Sequence, residues 1–342
     1  MRVALDISPL KTGHQFRGIG VYTQNLEKAF KESKIPNFEV DLIEGGKIHQ
    51  DCDLIHYPYF DLFFLTLPFK KVKPSVVTIH DVIPLVFPEN YKPGLRGTLK
   101  FQLQKFSLKG VKGVITDSEN SKNDIFKYLN YPKNRIYVVS LAPASHFKVI
   151  KEESVLKRVS KKYNLPENFA LYVGDVNYNK NIPGLIKAFA GLKGDLSLVL
   201  VGKAFLEDDL KENQEITKLI KTLKLEKKVV RLGFLTAEDL VALYNLAVVY
   251  CQPSFYEGFG LPVLEAMACG CPVVAANTSS LPEICGPAAI MVDPHNINDM
   301  IKGLQEALLK KEELKEKGFA QVRKFSWEKT AKKTYEIYQK VV

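Results

Sequence analysis

The chain has 342 residues, too many for one ordinary core and enough for two of about 150 residues each. Hydrophobic residues make up 46% and charged residues 25%, an ordinary globular balance that argues against a disordered, collagen-like or repeat protein. A formal net charge of +10 calls for an anionic partner, whether a phosphate-bearing ligand, a membrane surface or nucleic acid.

The first apolar run breaks at Asp6, too short for a signal-peptide core, and no stretch approaches about 18 uninterrupted apolar residues, so a cytoplasmic protein is expected. The first half opens with a strand, "RVALDI". A glycine loop containing Gly18 and Gly20, "RGIG", and an amphipathic helix, "VYTQNLEKAF", follow it. Two glycines form only part of a dinucleotide fingerprint and are weak as such. Further strands are read at "FEVDLIEG", "DLIHYPYF", "SVVTIHD", "GVITDS" and "RIYVVSL", the last two separated by a helix, "ENSKNDIFKYLN". Strands alternating with helices predict a parallel, doubly wound sheet.

Asp51 and Asp53 stand one residue apart in "DCD". They precede a strand in an unfinished sheet and read as its hydrophilic start, so no metal site is assigned there. Leu95, Leu99, Leu103 and Phe106 recur at helical spacing among Arg96, Lys100, Lys105 and Lys109, with no acid between Glu89 and Asp117. Such a basic amphipathic segment, 95–109, suits an anionic membrane or a core-packed helix with a solvated face. The charge-rich stretch between Pro143 and Pro166 reads as a linker. It separates an N-terminal domain, 1–150, from a C-terminal domain, 166–325, with a closing helix over 326–342 that can return to the first domain.

The second half repeats the pattern. Strands are read at "FALYVGDV", "LSLVLVG", "VVRLGF", "VVYCQP", "CPVVAAN" and "AAIMVDP", with helices between them. Two open sheets of this kind leave a cleft between domains, and ligands in such sheets bind beyond the carboxyl ends of the strands. The odd number of cysteines does not form a secreted disulfide framework, and the one-residue spacing of Cys269 and Cys271 is not that of a zinc knuckle.

The most informative stretch is "SFYEGFGLPVLEAMACGCPVV", residues 254–274. Gly258 and Gly260 allow close backbone approach, Pro262 suits a first helical turn, and Gly270 suits a helix end. Glu257 therefore lies in a loop and Glu265 within the helix. A helix start attracts phosphate, whereas ionised carboxylates repel it and only accept hydrogen bonds. A ligand carrying both a diphosphate and hydroxyls, such as a sugar nucleotide, satisfies both groups. From spacing alone, a solvated loop residue and a helix-surface charge explain the two glutamates equally well.

Two glutamates with seven residues between them, within "PSFYEGFGLPVLEAMACGCPVVAAN", resemble the signature of glycosyltransferase family 4, a retaining family with the GT-B fold. The resemblance continues through "LYVGDVNYNKN", "RLGF", "LYNLA", "SLPEICGPAAIMVDP" and "FSWEKTA", and covers most of residues 170 to 330. Over the first half it rests on "RGIGVYTQNL", "VVTIHD" and "VITDSENSKNDI", whose arrangement is similar to mannosyltransferase-type members that build bacterial polysaccharides. It implies an α/β GT-B architecture of two Rossmann-like domains facing a central cleft, and transfer of a hexose, mannose first, from a nucleotide diphosphate sugar. GDP-mannose is the first expectation for the donor, a hydroxyl of a glycan or lipid-linked molecule for the acceptor, and no metal or other cofactor is implied.

By this resemblance Glu257 holds the transferred hexose beside the reacting carbon, and Glu265 holds the ribose hydroxyls. The backbone of Phe259, Gly260 and Leu261 meets the sugar and diphosphate. Lys180, in "GDVNYNKN", neutralises the diphosphate. The family's usual arginine near the start of that loop is missing, since Asp175 follows Gly174, so Lys180 is expected to need help from Lys203 or Arg17. His80, ending "SVVTIH", matches a cleft histidine that contacts the donor hexose, with Asp81 orienting its ring or the acceptor. Gly18 and Gly20 are expected to approach the donor phosphate or the acceptor.

The alternatives are another GT-B enzyme, a sugar phosphorylase or sugar-nucleotide epimerase, and a basic nucleic-acid-binding protein. The last lacks any aromatic RNP pattern, helix-turn-helix or zinc-finger signal. No nucleic acid is therefore expected, and peripheral contact with the inner face of the membrane through 95–109 is retained as an expectation.

Overall fold

The structure is a computed structural model that describes residues 1–11, 18–44 and 51–342. It divides into two units, one formed by Met1–Ala142 with Phe325–Val342 and the other by Pro143–Lys324. Each unit carries its own six-stranded sheet.

In the first unit the strands are β1 (Arg2–Asp6), β2 (Glu39–Ile43), β3 (Leu54–Tyr57), β4 (Ser75–Thr78), β5 (Gly113–Thr116) and β6 (Ile136–Val138). Their order is β2-β1-β3-β4-β5-β6, every pair parallel. β3, β4 and β5 are buried at every position, as a parallel sheet covered on both faces requires, which is why they read as short apolar runs without alternation. The chain leaves β1 toward β2 and then crosses to the other side for β3, so the order reverses between β1 and β3. The helix Trp327–Val341 belongs to this unit. Its Trp327 ring lies 6.2 Å from Tyr22, its Tyr338 ring lies 5.9 Å from Phe30, and Tyr338 Oη is 2.6 Å from His56 Nδ1.

The second unit contains β7 (Phe169–Val173), β8 (Ser197–Val201), β9 (Val229–Leu232), β10 (Val249–Gln252), β11 (Val273–Ala276) and β12 (Ala289–Val292). Their order is β12-β11-β10-β7-β8-β9, again all parallel. The chain runs from β7 to β9 on one side and returns to β10 on the other. The loops after β7 and β10 therefore diverge, and such a reversal is where doubly wound sheets bind ligands.

The stretch read as a linker is not one. The second unit begins at Pro143, and Glu153–Lys162 is a helix. Only Val159 of that helix is fully buried, with Val155 and Leu156 half-buried beside it, a short stripe among lysines and glutamates. What holds the helix end is polar: Lys162 Nζ and Tyr163 Oη both donate to Asp239 Oδ2, at 2.6 and 2.7 Å. All five cysteines are buried and unpaired. Among the described residues no helix is long and apolar enough to cross a membrane.

Candidate active site

Glu257 and Lys180 sit on the two loops that diverge at the β7–β10 reversal. Lys180 Nζ donates to Glu257 Oε1 at 2.9 Å and to Oε2 at 2.8 Å. The carboxylate is nearly buried and the lysine largely so. Oε1 also accepts from Gln252 Nε2 at 2.7 Å and from Ser254 Oγ at 2.6 Å. Gln252 is in turn fixed by the Tyr250 hydroxyl. Oε2 takes only the lysine among the described residues. An ionised carboxylate has room for about four bonds, so Oε2 retains acceptor capacity for a ligand hydroxyl.

Local sequence explains why this pair forms. Asn181, next to Lys180, takes a left-handed backbone at φ 53° that asparagine tolerates, and its buried amide caps the following helix by accepting from Gly184 N at 3.2 Å. Its Nδ2 donates to the carbonyls of Pro253 at 3.1 Å and Pro294 at 2.9 Å, tying together the loops after β7, β10 and β12. Asn179 Nδ2 donates to the Tyr256 carbonyl at 2.9 Å. From the other side, Ser279 Oγ accepts from Glu257 N at 2.9 Å, and Ser280 Oγ bonds the carbonyls of Glu257 and Phe259 at 3.0 and 2.9 Å. The loop carrying Glu257 is thus pinned along its backbone and at its carboxylate.

Gly260 ends that loop at φ +102° and caps the helix Leu261–Ala268, with Pro262 in the first turn. The first-turn N–H groups of a helix have no partner within it and carry the positive end of its dipole. Glu265 lies one turn further on. Tyr244 Oη donates to its Oε2 at 3.1 Å, and no other described residue bonds its carboxylate. Burial raises Glu265 to about 7, against the smaller opposing effect of the Tyr244 bond, even though part of the residue's surface remains open to solvent. A carboxylate short of donors in this way is suited to receive hydroxyls.

The chain matches the family described as Glycosyl transferases group 1 over residues 156–323 and Glycosyltransferase Family 4 over residues 42–142. It is 34% identical over 277 residues to the O-antigen chain mannosyltransferase B of Escherichia coli, which spans 79% of this chain and 71% of that protein. The chain is a family 4 glycosyltransferase.

The transferase is also 32% identical over 283 residues to the serotype-specific mannosyltransferase WbdA of Escherichia coli, where the match covers 79% of this chain and 34% of that protein. Among solved structures, Anabaena HepE in complex with UDP and glucose aligns at TM-score 0.77 and 16% identity, over 99% of this chain and all of that one. Sucrose-phosphate synthase from Thermosynechococcus elongatus aligns at TM-score 0.75 and 20% identity, over 99% and 98%. These likenesses establish the fold as GT-B.

In the first unit His80 follows β4 and is held by a residue that sequence reasoning passed over as a partner. His80 Nδ1 lies 2.7 Å from Asp117 Oδ2, and Asp117 is buried directly after β5. Burial is the largest influence on the imidazole and lowers its pKa, but the charge and hydrogen bond of Asp117, with a smaller contribution from Asp81, outweigh it and leave it raised. The Tyr22 ring meets His80 edge-on, centroids 4.7 Å apart. Tyr22 Oη is 2.9 Å from Thr78 Oγ1, which is 2.8 Å from His56 Nε2. Burial lowers His56 to about 3, so it stays neutral.

Three expectations change. Asp81 was expected to orient the His80 ring or the acceptor; Asp117 takes the ring, while Asp81 Oδ1 accepts from Ile83 N at 3.0 Å at the start of a short helix. Gly18 and Gly20 lie inside the first turn of the helix Gly18–Ser33 rather than in a glycine loop, and the neighbouring Arg17 falls outside the described residues. Lys203, proposed as a second cation, forms an exposed 3.5 Å pair with Glu207. Asp175, where the family carries arginine, shapes its own loop by accepting from Val176 N at 2.8 Å. Asp53 Oδ2 accepts from Arg2 N at 2.8 Å at the strand start.

Strand adjacency, which only the structure shows, brings Asp117 to His80. His80 and Asp117 each stand just past the ends of neighbouring parallel strands, and Ile79 N donates to the Ile115 carbonyl at 2.9 Å. Gln252, Ser254 and Asn181 carried no signal in the sequence either, since each reads as an ordinary polar residue at a strand or helix end.

Proposed function

We propose that this transferase moves mannose from GDP-mannose to a hydroxyl of a glycan or lipid-linked acceptor, with the anomeric configuration retained. The observation that carries this reading is the placing of Glu257 and Glu265 on either side of a glycine-capped helix start, with the Lys180 ammonium beside the first of them. In this reading Glu265 accepts the ribose hydroxyls, Glu257 Oε2 accepts a hexose hydroxyl, and the backbone at Phe259, Gly260 and Leu261 meets the diphosphate. Lys180 has three N–H donors and spends two on Glu257, which leaves one for a phosphate oxygen.

Departure of the nucleoside diphosphate leaves an oxocarbenium-like carbon. The helix start and the Lys180 ammonium stabilise the leaving anion, and Glu257 faces the cationic sugar. The first unit's candidates are His80, its ring fixed by Asp117, for the hexose, and Gly18 and Gly20 for the donor phosphate or acceptor. The identities of the relatives support mannose, because the two Escherichia coli proteins are both named as mannosyltransferases. A lipid-linked acceptor would bring the enzyme to the inner face of the membrane through 95–109.

A panel of nucleotide sugars, screened for thermal stabilisation and then for transfer detected by mass, tests the proposal. GDP-mannose should stabilise most and yield a mannosylated product. Stabilisation by another donor alone would replace the sugar assignment. Formation of sugar 1-phosphate from a glycan and inorganic phosphate, with no nucleotide sugar present, would favour a phosphorylase.

A further inference from the structure

The helix Gly94–Leu108 is inverted with respect to its own apolar pattern. Leu95 is 93% exposed and Phe106 65%, and Leu99 is similarly open, whereas the helix buries Gly97, Gln104, Ser107 and Leu108. The polar members of that inward face are satisfied. Gln104 Nε2 donates to the Asp61 carbonyl at 2.9 Å and to Thr66 Oγ1 at 2.7 Å, its Oε1 accepts from Leu67 N at 3.2 Å, and Ser107 Oγ donates to the Pro68 carbonyl at 2.7 Å.

These bonds hold the segment 61–72 alongside the helix, and that segment also turns apolar groups outward: Phe64, Leu65, Phe69 and Val72 are all exposed. Lys100 Nζ lies 4.8 Å from the centroid of the Phe64 ring, and the Phe63 and Phe101 rings are 6.4 Å apart. Two stretches distant in sequence thus form one apolar face, of the kind that on a water-soluble domain marks an interaction site.

The charge around this face has one sign. No acid occurs between Asp61 and Asp81 or between Glu89 and Asp117. Asp61 is spent on its own loop, accepting from Phe63 N at 2.7 Å and Phe64 N at 2.9 Å. Lys71 is likewise committed, donating to the Ser107 carbonyl and hydroxyl. Lys70, Lys73, Arg96, Lys100, Lys105 and Lys109 have no carboxylate partner among the described residues. A second copy presenting the same face would meet like charge, whereas protruding leucines and phenylalanines among unpaired cations match an apolar layer beneath anionic headgroups.

We propose that the 61–72 segment and the Gly94–Leu108 helix together form a docking face for a lipid bilayer bearing anionic headgroups. The face stands apart from the sugar-transfer reading, because its binding is measured with neither donor nor acceptor present. The experiment is co-sedimentation of the full chain with phosphatidylcholine vesicles, with and without about one third phosphatidylglycerol. The chain should pellet with the anionic vesicles, stay in solution with the neutral ones, and lose at least about tenfold in partition as salt is raised.

Two variants divide the face: Leu95→Ser/Leu99→Ser/Phe106→Ser on the helix and Phe64→Ser/Phe69→Ser on the segment. Each should weaken binding by about tenfold or more, with an unchanged circular-dichroism spectrum and thermal midpoint, since these side chains are exposed. Failure of the wild-type chain to pellet with anionic vesicles overturns the proposal. Equal, salt-insensitive binding to both vesicles overturns its charge component, and loss in the helix variant alone overturns the two-segment face. A concentration-dependent dimer abolished by either variant would assign the face to a second copy instead.

Discussion

Lys180 and Glu257 lie 77 positions apart in sequence, yet the lysine ammonium contacts both oxygens of the carboxylate, at 2.9 and 2.8 Å. The cation expected for a phosphate and the anion expected for a sugar are therefore a single unit before any donor arrives. Glu257 fixes the position of Lys180 as well as offering an acceptor to ligand.

That coupling decides which substitution is informative. Glu257→Ala strips the acceptor from Lys180, Gln252 and Ser254 together, and breaking a largely buried pair costs on the order of 3 kcal/mol, so lost activity there mixes chemistry with folding. Glu257→Gln keeps the volume and one acceptor oxygen. It should lower kcat by about a hundredfold or more while the thermal midpoint moves by only a few degrees. Combining it with Lys180→Met should cost much less than the sum of the single effects. Near-normal turnover in the Gln variant would remove Glu257 from the chemistry.

Glu265 should leave a signature in the pH dependence of stability. Its folded-state value of about 7 lies above the ordinary 4.5, so between those values the folded chain keeps a proton that the unfolded chain has released. Stability contributed by this group therefore falls as pH rises from about 4.5 to about 7, by at most on the order of 2 to 3 kcal/mol. Thermal midpoints across that range should fall less steeply in Glu265→Gln, and the variant should exceed wild type at pH 8. Nucleotide binding should release a proton near pH 6.5, because ligand hydroxyls favour the ionised carboxylate, and Glu265→Gln should abolish that release in calorimetry. Parallel stability curves for the two proteins would show that Glu265 is already well solvated.

Asp117 should act through His80. The raised imidazole pKa means that the stability of the charged pair is present below about 6.5, the ordinary value, and is lost as pH rises through the folded value. In Asp117→Asn the effect of burial dominates, and the His80 titration followed by NMR should move below its ordinary position. Transfer should slow in Asp117→Asn, yet the same change should add nothing in a His80→Ala background. An unmoved His80 titration would break the link between the two residues, whereas normal activity of His80→Ala would instead remove His80 from the sugar site.

The turn leading into the Leu261–Ala268 helix depends on Gly260. At φ +102° a side chain is strained, and a Cβ there would sit 2.7 Å from Leu281 Cδ2. Gly260→Ala should cost about 1 to 2 kcal/mol and weaken nucleotide binding by about tenfold as the helix start shifts. A native midpoint with unchanged affinity would show that the turn accommodates a methyl group.

Much of this was legible in the chain itself. Among the described residues the twelve strands stand where the short apolar runs placed them, because the central parallel strands, covered on both faces, must be mostly apolar. Glu257 and Glu265 stood out because carboxylates repel the phosphate that a helix start attracts, and such a conflict shows in sequence. The helix at Glu153–Lys162 was hidden because its apolar stripe, Val155, Leu156 and Val159, spans little more than one turn and is outnumbered by charges.

The remainder depended on tertiary structure. Which face of Gly94–Leu108 points inward was decided by Gln104 and Ser107 finding partners in the 61–68 segment, a choice opposite to the one its leucines suggest. The partnership of His80 with Asp117, and of Lys180 with Glu257, required the strand order, since hydrogen bonds reach only a few ångströms and the chain carries no record of which strand ends are neighbours. Local periodicity and backbone preference are properties of adjacent residues and are therefore written in the sequence. Side-chain pairing across a sheet edge is settled only when the crossovers set the strands side by side.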